Sequence, residues 1–370
     1  MWKNVYYTFM PTTTVRAPGN IKLAGEHAVL EGHLALSAAI ESHHATARVE
    51  RGEPGTLKLT LRDLGAAATL DLRSLTELYE AYRKIDKNNP ALGNPELIRY
   101  IEEKGAKFGE CILPYATIAA VLLNQQGINP LGKHITIESN VPVKKGCGSS
   151  TACSTSFAVL LIGLSGKVLS DVKVINYARE GDRILHGNVC AGGIDVPPAY
   201  YGGYTSYEAG LARKEGIATN AKYILMDTGP KPHTSDMIHR VEELRRRDPA
   251  VTRRIMDEIG NCTRECMAAL KEGNLKRLGV AMQENHELLR KLGVSSERLD
   301  LAVSIAVANG AYGAKLSGGG GGGIGIALVG PSSDSGKIIK ALEKAGFWAT
   351  LTSISMKGAK DSLVVPPNGL

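Results

Sequence analysis

The residues best spaced for chemistry lie in Pro142-Val-Lys-Lys-Gly-Cys-Gly-Ser-Ser-Thr-Ala152. An apolar, β-branched run, Ile135-Thr-Ile-Glu-Ser-Asn-Val141, leads in. A small-residue segment from Thr151 to Leu164, with the apolar content of a buried helix, leads out. The pattern reads as strand, glycine loop and helix N-terminus. Gly146 and Gly148 let backbone N–H groups approach an anion with no Cβ in the way. The first helical turn adds unpaired N–H donors and the positive end of the helix dipole. Ser149 and Ser150 are suited to cap the helix, and a serine hydroxyl there can also reach a phosphate-bound Mg²⁺. The plainer reading is a capped helix after a turn. For the loop alone the two readings stand level, because short glycine patterns are weak evidence. No Gly-Lys-Ser/Thr closes the loop, so it is not a P-loop.

Three other places carry polar residues of interest. Glu26 and His27 follow Gly25 in an apolar setting; they make either a turn with a hydrogen-bonded histidine or a substrate-binding edge. Asp195 follows Gly192-Gly-Ile at what reads as a loop-to-strand junction, where an aspartate either forms a turn or faces a ligand. Gly318 to Gly323 are six consecutive glycines between a helix and an apolar strand. Such a run is costly in backbone entropy, and packing does not account for it. Linkers share the composition, but a linker does not join a core helix to a core strand. A ligand needing close backbone approach is the stronger reading.

The elements that must position these residues follow from periodicity. Residues 13–23 read as a strand interrupted at Ala17-Pro-Gly19. Residues 44–50 and 56–62 alternate as half-buried antiparallel strands do, and 67–72 add a short one. Helices are expected over 75–86, 95–104, 112–126 and 171–185. After about Glu208 an apolar strand at 221–228 precedes charged helices at 235–247, 249–271 and 274–291. A helix at 295–309, a strand at 324–329, a helix at 336–346 and a strand at 347–356 complete the chain. The fold class is α+β, with a boundary near 205 dividing 1–205 from 206–370.

Composition narrows the class. The chain has 370 residues, 43% hydrophobic and 22% charged, as an ordinary globular protein does. Net charge is +7, which favours anionic ligands. Basic and acidic residues are mixed, and Arg245-Arg-Arg247 with Arg253-Arg254 reads as a solvated helix face. Aromatics are 5% with no stacking motif, so no nucleic acid is expected. The six cysteines form no C-x-x-C pair, so neither a disulfide framework nor a zinc site is indicated. Cys147 reads as a small buried filler. Reduced thiols in a cytoplasmic protein are the simple reading. The N-terminus lacks an apolar signal core, and no apolar run is long enough to span a membrane.

Three motifs stand in order: Ala17-Pro-Gly-Asn-Ile-Lys-Leu-Ala-Gly-Glu-His27, Pro142 to Ala152, and Lys315-Leu-Ser-Gly-Gly-Gly320. Together they resemble the GHMP small-molecule kinase superfamily over roughly 14–355. The mevalonate kinase family is the most similar branch, through Gly25-Glu-His-Ala-Val-Leu-Glu-Gly32, Gly181-Asp-Arg-Ile-Leu-His-Gly187, Met282-Gln-Glu-Asn-His-Glu-Leu-Leu289 and Gly310-Ala-Tyr-Gly-Ala-Lys-Leu-Ser317. The resemblance implies a two-domain fold with the active site in the cleft between domains. It implies ATP- and Mg²⁺-dependent transfer to the 5-hydroxyl of mevalonate, an early isoprenoid step, and allows a homodimer.

It also implies roles. Lys144, Gly146, Cys147, Gly148, Ser149, Ser150 and Thr151 meet ATP; Ser150 and Asp182 hold the metal. Asp195 is the catalytic base, with Lys22 beside the transferred group. Asn20, Glu26, His27, Asp195, Thr234, Gly318 and Gly319 line the acceptor. Two departures fall on the acceptor side. Asn20 stands where the family has lysine, with Lys22 two residues on and on the same strand face. The loop Asn188 to Ile194 is longer by two. Related kinases acting on phosphomevalonate, the mevalonate 3-hydroxyl or a sugar remain open, with Lys22, Lys144 and Lys145 as candidates for a phosphorylated acceptor. So does a non-catalytic ligand sensor, against which Ser150, Asp182 and Asp195 all stand intact.

Overall fold

The computed structural model describes residues 13–87, 94–142, 145–189, 191–229 and 234–364. The strands are β1 (Thr13–Ala24), β2 (Ala35–Arg51), β3 (Thr56–Leu61), β4 (Ala66–Asp71), β5 (Lys133–Ser139), β6 (Tyr204–Glu208), β7 (Leu211–Glu215), β8 (Lys222–Asp227), β9 (Gly313–Leu316), β10 (Ile324–Val329) and β11 (Trp348–Ser353). The helices are α1 (Leu72–Tyr82), α2 (Pro95–Phe108), α3 (Leu113–Gln126), α4 (Ser149–Leu164), α5 (Asp171–His186) and α6 (Val196–Tyr201), followed by α7 (Thr234–Arg247), α8 (Pro249–Lys271), α9 (Leu275–Lys291), α10 (Glu297–Ala308) and α11 (Ser335–Lys344). The expected α+β class holds.

Two sheets organise the chain. The first runs β4-β3-β5-β2-β6-β7, with β1 also paired to β2, and takes in the chain as far as Glu215. Among the described strands, only β3 and β5 pair in parallel. The second is antiparallel, β11-β8-β10-β9. Helices α3, α4 and α5 pack together, and α4 covers β1 and β2. α4 is apolar on every side and almost wholly buried, as a helix through a core must be. Isolated bridges from Ile354 to Ile40 and from Val364 to Thr14 return the C-terminal chain to the first sheet.

The structure changes several sequence expectations. β2 is one 17-residue strand, not a strand from 44 alone. Its first six residues are buried on both faces, so no alternation marked them. The interruption at Ala17-Pro-Gly19 is an irregularity within β1: its register against β2 shifts between Pro18 and Asn20, and again between Lys22 and Ala24. Asp195 stands before a helix, not a strand, because the two prolines after Val196 fall in the first turn of α6, where a missing N–H is harmless. The β6–β7 hairpin and the short β9 were not marked by pattern. No single described helix is long and apolar enough to cross a membrane.

Candidate active site

The register shifts of β1 bracket Asn20 and Lys22, and irregularities of this kind re-aim side chains. Both residues are buried. Lys22 Nζ donates to Asn20 Oδ1 at 2.8 Å and forms an ion pair with the Asp195 carboxylate. Asn20 Nδ2 donates to the Asp195 carbonyl at 3.2 Å. Ser37 Oγ, one strand over, donates to the Ile194 carbonyl at 3.0 Å. Asp195 is thus held by its side chain and its backbone. Lys22 is no surface lysine, and its ammonium stands at the aspartate.

The glycine loop lies against the same strand. Asn20 N–H donates to the Cys147 carbonyl at 2.8 Å. A Cβ on Gly19 would come within 2.8 Å of that carbonyl, so glycine is what permits the approach. Cys147 is fully buried, which leaves only its backbone to face the loop. Gly146 and Gly148 have φ of 95° and 71°, a region glycine enters without penalty. Gly148 is the N-cap of α4, with no side-chain cap, so the expected serine capping by Ser149 or Ser150 does not occur. The helix N-terminus keeps its donors for another partner.

Asp182 lies beneath this N-terminus. Thr151 Oγ1 donates to Asp182 Oδ2 at 2.8 Å, while Asp182 Oδ1 is buried without a hydrogen-bond partner among the described residues. Burial pushes the Asp182 carboxyl above its ordinary value. The charge of Asp195 adds to the push; His186 and the Thr151 and Ser150 hydroxyls oppose it. A cation beside Oδ1 would satisfy the orphaned oxygen and reverse the shift. No cluster of three or more His, Cys, Asp or Glu side chains suited to a metal forms among the described residues. The available set, one carboxylate plus the Ser150 hydroxyl, is of the kind Mg²⁺ takes when phosphate and water complete its shell.

The second sheet supplies the other wall. His27, with φ of 63°, precedes a 3₁₀ turn at Ala28–Glu31, and its Nε2 donates to the Gly319 carbonyl at 3.0 Å. Glu26 pairs with Lys315 and accepts the Gly318 N–H at 3.4 Å. Ser317 Oγ accepts the Lys22 N–H at 2.9 Å. Gly318 and Gly319 therefore meet Glu26 and His27, and the neighbouring Ser317 meets Lys22. Packing does explain part of the glycine run, against expectation. Gly320 has φ of 85°, and a Cβ there would collide with the Val294 carbonyl; Gly321 N–H donates to that carbonyl at 2.7 Å. Gly323 O accepts from Thr228 N and Oγ1 at 2.8 and 2.9 Å.

Lys144 lies outside the described residues, as does the side chain of Thr234, whose backbone begins α7. Lys145, a candidate for a phosphorylated acceptor, is paired instead with Asp227 at 2.8 Å. Sequence reasoning gave no role to Lys315, Ser317, Arg179 or Arg183. The two arginines, one turn apart on α5, donate to the Ala191 and Val189 carbonyls at 3.1 and 2.8 Å and so hold the longer loop before Asp195. A lysine among Gly313-Ala-Lys-Leu-Ser317, with small and apolar neighbours, was the available signal.

Comparison with known proteins decides the family. Residues 113–203 match the GHMP kinases N terminal domain and residues 266–358 the GHMP kinases C terminal domain. The chain belongs to the GHMP kinases. It is an ATP-dependent small-molecule kinase of the mevalonate kinase-like branch. Among relatives of this GHMP kinase, the mevalonate kinase of Aeropyrum pernix is 28% identical over 350 residues, covering 93% of this chain and 96% of that protein. The mevalonate kinase of Mus musculus is 26% identical, covering 93% of each. The crystal structure of L. major mevalonate kinase in complex with R-mevalonate superposes with a TM-score of 0.68 at 26% identity, covering 93% of this chain and 96% of that one. The Methanococcus jannaschii mevalonate kinase, at 24% identity and a TM-score of 0.74, shares the fold over 94% of this chain and 99% of its own.

Proposed function

We propose that this kinase transfers the γ-phosphoryl group of ATP to the 5-hydroxyl of mevalonate, giving 5-phosphomevalonate. The observation that carries the reading is the Lys22–Asp195 pair set against the glycine loop. The backbone of Gly146, Cys147, Gly148 and Ser149 and the N-terminus of α4, with Lys144 and Thr151 alongside, receive the phosphates. Ser150 and Asp182 would hold Mg²⁺, which supplies neutralisation of phosphate charge. Phosphoryl transfer asks chiefly for positioning and charge balance. Asp195 accepts the proton of the attacking hydroxyl. That uptake loosens its pair with Lys22, whose ammonium, still held by Asn20, turns to the charge on the phosphoryl group. Asn20, Glu26, His27, Thr234, Gly318 and Gly319 line the acceptor side. The site falls between the two sheets, in the cleft of a two-domain enzyme. Six cysteines with no C-x-x-C pair suit a reducing, cytoplasmic setting.

Asp195→Asn tests the base. Turnover is lost while ATP binding, followed by calorimetry, stays within a few-fold of wild type. A fully active variant removes Asp195 from the role.

A further inference from the structure

Lys315 is fully buried, with none of its side chain exposed, and Glu26 beside it is 3% exposed. Lysine is almost never buried to this degree unless it is paired. Its Nζ donates to Glu26 Oε1 and, at 2.6 Å, to the Leu316 carbonyl. The pair crosses from the turn after β1 to β9 of the second sheet. Stability does not account for it, since replacing a buried ion pair by apolar residues is commonly neutral or stabilising. The carboxylate offers another reason. Glu26 Oε1 is taken by Lys315 and by the Gly318 N–H. Glu26 Oε2 is buried with no hydrogen-bond partner among the described residues. Two donors on one oxygen fix the carboxylate and leave the other oxygen as an unspent acceptor. Such an atom is expensive to leave unpaired, and here it belongs to a residue next to His27 and the glycine run.

We propose that Lys315 is a positioning residue of the acceptor pocket: it locks Glu26 through Oε1 so that Oε2 faces the acceptor and takes a hydrogen bond from it. The inference rests on the reading of Glu26 as an acceptor-side residue. Lys315 touches neither substrate and acts only through Glu26.

A double-mutant cycle tests this, with Lys315→Met, Glu26→Gln and both together, in the full-length enzyme. Acceptor KM, ATP KM, kcat and melting temperature are measured for each. Lys315→Met raises acceptor KM about tenfold or more, the scale of a lost hydrogen bond to a charged group, and leaves ATP KM unchanged. Simple loss of folded enzyme lowers apparent kcat and moves neither KM. Once Glu26 is Gln, the lysine has nothing to aim, so the double variant has the acceptor KM of Glu26→Gln within about twofold. Where Lys315→Met alone fails to fold, the comparison of Glu26→Gln with the double variant still decides. Losses that multiply in the double variant, or a Lys315→Met enzyme with wild-type acceptor KM, overturn the proposal. The ratios are taken on the acceptor that wild type turns over. Absence of turnover with mevalonate therefore counts against the proposed reaction and leaves the ratios to judge Lys315.

Discussion

Replacing Lys22 by Met strips one charge from the centre of the site and keeps the length of the side chain. The ammonium has two partners there, Asp195 and Asn20 Oδ1, and only 8% of its side chain is exposed, against 24% for Asp195. Breaking a fully buried pair costs about 3–5 kcal/mol. Because solvent reaches the Asp195 side, about half of that, ~2 kcal/mol, is expected. An unfolding entropy of about 2.1 cal/mol/K per residue over 370 residues gives a fall in Tm of ~2–3 °C. The effect on rate is larger. Removing one preorganised group aimed at transition-state charge lowers kcat by about 10²- to 10³-fold. Coupled ADP release at saturating ATP and acceptor reads the rate, and a circular-dichroism melt reads the fold. A kcat within threefold of wild type in a well-folded variant refutes the assignment. So does a Tm loss of ten degrees or more, which makes Lys22 a structural residue first.

Further outcomes follow from the same geometry. Asp182→Asn raises the Mg²⁺ concentration needed for half-maximal rate by about tenfold or more; it also leaves Tm unchanged or higher, because it removes a buried carboxyl with an orphaned oxygen. A variant with wild-type Mg²⁺ dependence contradicts the metal assignment. Gly320→Ala forces a Cβ onto the Val294 carbonyl at a φ of 85° and destabilises by about 1–3 kcal/mol, read as a lower Tm; an unchanged Tm removes the packing explanation for that glycine. His286 is held neutral, its pKa lowered by burial from 6.5 to about 4, against the pull of Asp300. The unfolded chain takes up that proton first. Stability is therefore full above about pH 6.5 and falls by roughly 3 kcal/mol as pH drops to 4. The Tm of His286→Gln declines less than that of wild type between pH 7 and 4.5, and parallel declines contradict the assignment.

Local physics made much of this fold legible. α7, α8 and α9 were readable to within a residue or two because each has an apolar face at helical spacing, and Asp248 and Asn274 cap α8 and α9. The glycine loop before α4 stood out because strand, glycines and buried helix each leave their own composition. What the chain did not reveal depends on partners distant in sequence. Strand periodicity put Lys22 on the face of Asn20, but only β2, Ser317 and Asp195 turn that face inward. Serines at the start of α4 look like caps, yet Gly148 in a left-handed conformation takes the position. Six glycines look like a ligand cradle, and the neighbour that restricts Gly320 lies 26 residues earlier, at Val294. Lys315 reads as one more charged residue until the turn holding Glu26 is folded against it.

The claim on which everything else rests is the reaction itself. Coupled ADP release from purified enzyme with ATP and Mg²⁺ should be compared for mevalonate, phosphomevalonate and galactose, and the product identified by ³¹P NMR. The account predicts turnover with mevalonate and a phosphate on its 5-oxygen. Turnover with another acceptor alone, or a phosphate on the 3-oxygen, contradicts it.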